Sequence, residues 1–208
     1  MRIISGSARG RRLAAPRGKE TTRPLPDRVR TSVFNMLTGH IEDQHVVDAF
    51  AGTGSFGLEA LSRGAASCVF FEKDKAAIEL IERNASDLGL IDRAQIVSGD
   101  ALGASALSRV PRPLHIVMMD PPYDMLKTEG QRTRVFDQLS RFISVLDDEG
   151  FALLRTPWPF VEYMGEQEHR RKIELNLSID RAIGPETHAY GTTAVHWYMR
   201  DKGSGNRH

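Results

Sequence analysis

The sequence predicts an α/β fold, with a mostly parallel sheet covered by helices on both faces and finished by an antiparallel strand pair. Three observations predict it. Short apolar runs alternate with helical patterns from residue 46 to residue 154, a glycine-rich turn follows the first run, and four successive runs are followed by an acidic residue. Alternating strand and helix implies parallel strands buried on both faces. Ligands of such sheets bind beyond the carboxyl ends of the strands. A chain of 208 residues, 40% hydrophobic and 26% charged, fits one globular domain with an appendage. With no run of about 18 apolar residues and no signal pattern at Met1-Arg2, membrane insertion and secretion are not expected, and the cell interior is the expected location.

The first 22 residues form the expected appendage, residues 23–200 the main domain, and residues 201–208 a disordered tail. Arg2–Ser5 and Arg12–Ala15 flank Gly6-Ser7-Ala8-Arg9-Gly10, which reads as a β-hairpin presenting Arg9 and Arg11 at its tip. Thr22–Pro26 is an extended connector, because each proline disfavours helix at the residue before it. Asp27 then caps a helix whose apolar positions are Val29, Val33, Met36 and Leu37, with Gly39 as its stop. Strands follow at Val46–Ala49, Cys68–Phe71, Ala94–Val97, Leu114–Met119 and Phe151–Leu154, with helices at about 56–63, 74–88 and 131–146. Beyond these, Ile173–Ile179 and Thr192–Tyr198 alternate without a long helix between them and predict the antiparallel pair. Pro157-Trp158-Pro159-Phe160 is a stiff aromatic loop that either lines a substrate mouth or packs on the surface. Cys68, the single cysteine, reads as a buried strand residue. The seven histidines are scattered without metal-ligand spacing, so no metal is expected.

The net charge of +1 hides an asymmetry. Residues 1–30 carry nine Arg or Lys against Glu20 and Asp27, a local balance of +7, and the other 178 residues carry −6. A basic segment on an acidic body points to phosphate, and arginine, with its planar fork, suits phosphates and bases. Arg9, Arg11, Arg23 and Arg28 are the candidate contacts to such a partner.

Val46-Val47-Asp48-Ala49-Phe50-Ala51-Gly52-Thr53-Gly54-Ser55-Phe56-Gly57 is a strand, a glycine-rich turn and the start of a helix. Gly52, Gly54 and Gly57 spell G-x-G-x-x-G, and Glu72 lies twenty residues after Gly52. This fingerprint fits a dinucleotide or another adenosine cofactor. Asp48 separates the two, since a carboxylate there repels a pyrophosphate and attracts the ammonium or sulfonium of S-adenosylmethionine. Asp100, after the third strand, suits the adenine amino group, or is an ordinary turn residue. After the fourth strand stands Asp120-Pro121-Pro122-Tyr123. The aspartate can accept hydrogen bonds from an exocyclic amine, the prolines are rigid and lack N–H donors, and the tyrosine can stack on a base. These four residues are the candidate catalytic group for methylating a base amine.

With Asp48–Gly54 and Asp120–Tyr123 together, the chain resembles the class I S-adenosylmethionine-dependent amino-methyltransferases. Further stretches make it similar to the bacterial 16S rRNA guanine-N2-methyltransferase family almost end to end: Arg2–Gly6 with Gly10-Arg11, Thr22-Arg23-Pro24, Asp27–Arg30, Phe34–Leu37, Gly57–Ala65, Phe71–Asp74 and Tyr190–Thr193. The resemblance implies a Rossmann-like sheet of seven strands with an N-terminal β-hairpin extension. It also implies methylation of a guanine in small-subunit rRNA, free or within an assembled or assembling small subunit, with S-adenosylmethionine as cofactor. On that likeness Asp48, Gly52 and Gly54 hold the methionine end, Glu72 the ribose and Asp100 the adenine, with Ala49, Phe50, Lys73 and Ala101 beside them. Asp120 and Tyr123 serve the base. One departure is visible: where the family usually carries an acidic or histidine-containing segment after the fifth strand, this chain has Arg155-Thr156-Pro157-Trp158. A DNA amino-methyltransferase and a non-catalytic nucleic-acid-binding protein are the competing readings. Size and charge are compatible with a monomer.

Overall fold

The structure is a computed structural model that describes residues 1–15, 25–164 and 171–203. Strands β1 (His45–Ala49), β2 (Ser67–Glu72), β3 (Ala94–Ser98), β4 (Leu114–Met119), β5 (Leu146–Pro157), β8 (Ala182–Tyr190) and β9 (Thr193–Arg200) form one sheet, in the order β3-β2-β1-β4-β5-β9-β8. The first five are parallel, and β9 and β8 complete the sheet antiparallel. The runs of Val, Ile, Phe and Met in β1, β2 and β4 are almost wholly buried, as a sheet covered on both faces requires. One face packs against α1 (Asp27–Met36), α2 (Ser55–Ser62) and α3 (Lys75–Asp87), the other against α5 (Glu129–Ser144), preceded by the short α4 (Asp124–Lys127).

Two registers place the site. Ala49 of β1 lies level with Phe71 of β2 and with Met119 of β4. Chain order reverses between β1 and β4, and at such a reversal the outgoing loops diverge and open a crevice. Met119 is also level with Leu154 of β5, so the next residues, Asp120 and Arg155, emerge side by side.

Helix α2 is buried at all eight positions, although it includes Glu59. The N-terminal segment covers it. Glu59 accepts hydrogen bonds from Ile4 N–H at 2.7 Å and Ser5 N–H at 3.0 Å and pairs with Arg63 at 2.7 Å, while Ile3, Ala8 and Leu13 enter the same apolar cluster as Val29 and Phe34. A buried carboxylate is tolerable only with such partners. Gly57 lets α2 lie close on the sheet, since a Cβ there would stand 2.3 Å from the Phe70 ring and 2.6 Å from Cys68 Sγ. Gly57→Ala should therefore cost about 1–3 kcal/mol by overpacking, seen as a fall of several degrees in Tm; an unchanged melting curve would contradict this packing.

Several expectations are revised. The N-terminal hairpin is present in reduced form, as one antiparallel bridge between Arg2 and Arg12. Its polar turn packs on α2 instead of extending a ladder. Asp27 is the first residue of α1, not its cap, and binds Arg30 Nη2 at 3.1 Å. Met36 is turned outward, and Phe34 takes the buried position. The antiparallel pair is β8 with β9, joined through Gly191-Thr192, and not Ile173–Ile179 with Thr192–Tyr198. Arg171–Glu174 (β7) instead pairs with Val161–Met164 (β6) in a separate two-stranded ribbon. All four residues of β7 are exposed, so its alternation has no core to face, while Tyr198 and Trp197 of β9 are buried. In the aromatic loop Phe160 is buried and stacks on Phe136, a packing role. Of the expected tail, residues 204–208 lie outside the described residues, while the Asp201 N–H donates to the Arg181 carbonyl at 3.0 Å.

Candidate active site

Beyond the tips of β1, β2 and β4 lies a cleft of about 1020 Å³. Asp48, Phe50, Gly52, Glu72, Lys73 and Ala101 line one part of it, and Asp120, Pro121, Pro122, Tyr123 and Arg155 another. Ala14, Ala15 and Leu25 add a wall from the N-terminal region. Asn84 of α3 secures that wall, accepting from Ala14 N–H at 2.7 Å and donating to the Ala14 carbonyl at 3.2 Å.

On the first side, Asp48 is 2% exposed and accepts the Gly57 N–H at 2.9 Å. Burial, with Asp120 and Glu72 adding their negative fields against that hydrogen bond, pushes its carboxyl up to about 8. A carboxyl in this state lacks a cation. The turn above it is open. Gly52 adopts φ +55° and a Cβ there would meet nothing within 4 Å, while Phe50 is held at φ +73°, a strained conformation for a residue with a side chain. Glu72 accepts from Gly52 N–H at 2.7 Å and Lys73 N–H at 2.8 Å, fixing the turn to the tip of β2. A buried carboxyl seeking a positive partner beside an open glycine turn fits the amino-acid end of S-adenosylmethionine, which carries an ammonium and a sulfonium.

The other predicted cofactor residues sit differently. Ala49 is fully buried in β1 and Gly54, at φ +76°, is the N-cap of α2; neither lines the cleft. Asp100 also lies outside the lining. Lys73 at 2.9 Å and Arg134 at 3.6 Å pair with it. Burial opposes ionisation there, but Lys73 and the Leu102 N–H outweigh it and hold the carboxyl below its ordinary range. Contact between Asp100 and an adenine requires these partners to be shared.

On the second side, Asp120 follows β4 and its N–H donates to the Ala49 carbonyl at 3.4 Å, so its backbone is tied to β1. Its side chain is 17% exposed and forms an ion pair with Arg155, Nε to Oδ1 at 2.7 Å. Burial raises the Asp120 carboxyl and Arg155 pulls it back, leaving it at about 6. Tyr123 donates its hydroxyl hydrogen to Thr193 Oγ1 at 2.7 Å, and Thr193 donates to the Thr156 carbonyl at 3.0 Å. The Arg155 guanidinium lies 5.2 Å from the centroid of the Tyr123 ring. The ring is thus held at its hydroxyl end and covered by a cation.

Of the predicted partner-binding residues, Arg9, Arg11 and Arg28 are exposed and outside the cleft, and Arg11 Nη2 donates to the Asp87 carbonyl at 2.6 Å. Arg23 lies outside the described residues. Sequence reasoning missed Ala14, Ala15 and Leu25 as cleft walls, Thr193 as the anchor of Tyr123, and the pairing of Arg155. Arg155 did carry a signal, being a cation that directly follows the apolar run Phe151–Leu154, at the level where acids follow the other strands.

The fold and this cleft define a Rossmann-like methyltransferase. A family model described as "Conserved hypothetical protein 95" matches residues 1–166. The chain is 32% identical over 201 residues to the Bacillus subtilis protein "Putative rRNA methyltransferase YlbH", covering 96% of this chain and 99% of that one. It is 41% identical over 123 residues to the Escherichia coli protein "Ribosomal RNA small subunit methyltransferase D", a match spanning 59% of this chain and 60% of that protein. Among solved structures, "Putative methyltransferase yhhF from Escherichia coli" superposes with a TM-score of 0.74 at 30% identity, covering 97% of this chain and 98% of that one. The chain belongs to the family of that model, Conserved hypothetical protein 95.

Proposed function

We propose that this protein methylates the exocyclic N2 amine of a guanine in 16S rRNA, using S-adenosylmethionine, on the free RNA or within an assembled or assembling small ribosomal subunit. The observation that carries the reading is the placement of Asp120–Tyr123 on the same cleft as Asp48 and the open Gly52 turn. The names of the relatives, an rRNA and a small-subunit rRNA methyltransferase, support the RNA substrate. When bound, S-adenosylmethionine supplies an electrophilic methyl group. The remaining work belongs to the protein. Asp48 and the turn after β1 would hold the cationic amino-acid end, and Glu72 and Lys73 would hold the part next to it.

The target base enters on the side of Tyr123, whose ring stacks on it, an interaction worth about 1–3 kcal/mol in nucleic-acid complexes. A guanine amine is a poor nucleophile because its lone pair is delocalised into the ring. Asp120 and the Pro121 carbonyl accept its two N–H bonds, which lets the nitrogen pyramidalise and turns its lone pair toward the cofactor. Pro121 and Pro122 offer no competing N–H donors. Asp120 must be ionised for this, so turnover should fall below pH of about 6. The gain is one of positioning and of negative charge beside a nitrogen that becomes cationic, and the proton is lost afterwards.

Basic residues outside the cleft supply the grip on RNA. Substituting Arg9 and Arg28 together should weaken RNA binding and flatten its dependence on salt by about one to two units of logarithmic slope; an unchanged slope would remove them from the interface. The reading as a whole is tested by offering labelled methyl donor with small subunits, naked 16S rRNA and duplex DNA. Label is expected in the rRNA of one or both of the first two, and label confined to DNA would refute it.

A further inference from the structure

We propose that Arg155 is a positioning residue for methyl transfer: it holds the charged carboxylate of Asp120 in place for the amine, and it covers one face of Tyr123 so that the base stacks on the opposite face. This inference rests on the reading of Asp120 and Tyr123 given above.

The geometry that supports it comes from the sheet. Parallel register sets residue 155 beside residue 120, and antiparallel pairing of Arg155 with Val195 of β9 fixes the backbone that carries it. The guanidinium is 7% exposed and contacts Asp120 through Nε and Oδ1 at 2.7 Å. Oδ1, the oxygen that Arg155 meets, is buried. The same planar group lies against the Tyr123 ring while Thr193 holds the tyrosine hydroxyl, so carboxylate and ring are braced from one side. Lysine could supply the charge but not the flat surface.

Arg155 also bears on the protonation of Asp120, and the neighbouring groups make this legible. From β1, Asp120 faces Asp48; Glu72 stands at the tip of β2; Tyr123 and the exposed Asp124 belong to its own loop. On β9, His196 binds Thr156 Oγ1 at 2.8 Å and is held down to about 4 by burial, so it stays neutral across the working range. Among these described groups Arg155 is the cation against Asp120. Its removal leaves burial unopposed, which favours the protonated form.

The test is a set of kcat–pH profiles at saturating cofactor for the wild type, Arg155→Gln and Arg155→Lys, with the affinity for S-adenosylhomocysteine measured alongside. In Arg155→Gln the acid limb should move to higher pH by roughly one unit or more, with turnover at pH 7 down about twofold or more and cofactor affinity within about twofold of wild type. In Arg155→Lys the limb should stay near its original place while KM for RNA rises, because the charge returns without the brace. Superimposable acid limbs for wild type and Arg155→Gln, or a loss of activity equal at every pH, would overturn the proposal. Should the glutamine variant fail to fold, Arg155→Lys with both limb and KM unchanged overturns it. Asp120→Ala is assayed in the same series: full activity there would sink the site assignment itself, whereas an inactive Asp120→Ala beside a wild-type-like Arg155→Gln removes this inference alone.

Discussion

Asp120→Ala is expected to lower methyl transfer by about a thousandfold or more while leaving cofactor affinity within a few-fold of wild type. On the proposed mechanism the substitution removes the group that orders the amine and balances its developing charge, while the side of the cleft proposed for the cofactor is built on other strands, from Asp48, Gly52 and Glu72. A second effect accompanies the first. Arg155 is buried, and losing this carboxylate removes a counter-charge from a cation with little access to water. Breaking a buried pair from one side costs about 3–5 kcal/mol, so Asp120→Ala should also melt several degrees lower. Asp120→Asn separates the two effects, because it retains an acceptor for Arg155 and the amine but not the charge, and it should be intermediate in turnover. Single-turnover rates, calorimetric affinities and melting curves for the three proteins check this. An Asp120→Ala protein with wild-type turnover would remove Asp120 from the chemistry.

Asp48→Asn should bind S-adenosylmethionine at least about tenfold more weakly, one unit of free energy for a lost charge contact of about 1.4 kcal/mol, and yet be more stable when empty. The empty protein holds the Asp48 carboxyl at about 8, whereas in the unfolded chain it titrates near 4. A raised carboxyl pKa means that the folded state retains a proton the unfolded chain has released, so stability falls as pH rises from about 4 to 8. Asparagine still accepts the Gly57 N–H and carries no such penalty. It should gain at least about 1 kcal/mol at pH 8, roughly 2–4 °C in Tm. The linked result concerns the wild type: a cationic ligand favours the charged carboxyl, so affinity should rise with pH up to about 8, with a proton released on binding. Calorimetry in buffers of different ionisation enthalpy measures that proton. Affinity independent of pH between 6 and 8 would show that Asp48 does not receive the cation.

The parallel half of the sheet was legible because each strand is a short run of Val, Ile, Phe or Met bounded by turns, and burial on both faces demands such runs. The antiparallel end was not. β8 contains Gly184-Pro185 and holds half-buried and exposed residues with none buried, so its sequence reads as loop, while the alternating Ile173-Glu174 stretch belongs to an exposed ribbon with no core beneath it. Period-two alternation marks a strand but not its partner. Acids at strand tips were equally legible, since their chain positions follow the apolar runs, and the structure brings Asp48, Glu72 and Asp120 to one cleft. Asp100 sits with Lys73 and Arg134, at the side of that cleft, through contacts between segments that no local pattern reveals. The same applies to Arg155, whose bond to Asp120 depends on the register between β4 and β5, and to Ala14 and Leu25, which reach the cleft by folding of the N-terminal region.

The central claim is the identity of the methylated atom, and the direct measurement is mass-spectrometric nucleoside analysis of 16S rRNA after incubation with the purified protein and labelled S-adenosylmethionine. The account predicts labelled N2-methylguanosine at a single position, absent with Asp120→Ala. Label in a methylated adenosine or cytidine instead, or N2-methylguanosine formed equally by the Asp120→Ala protein, would contradict it.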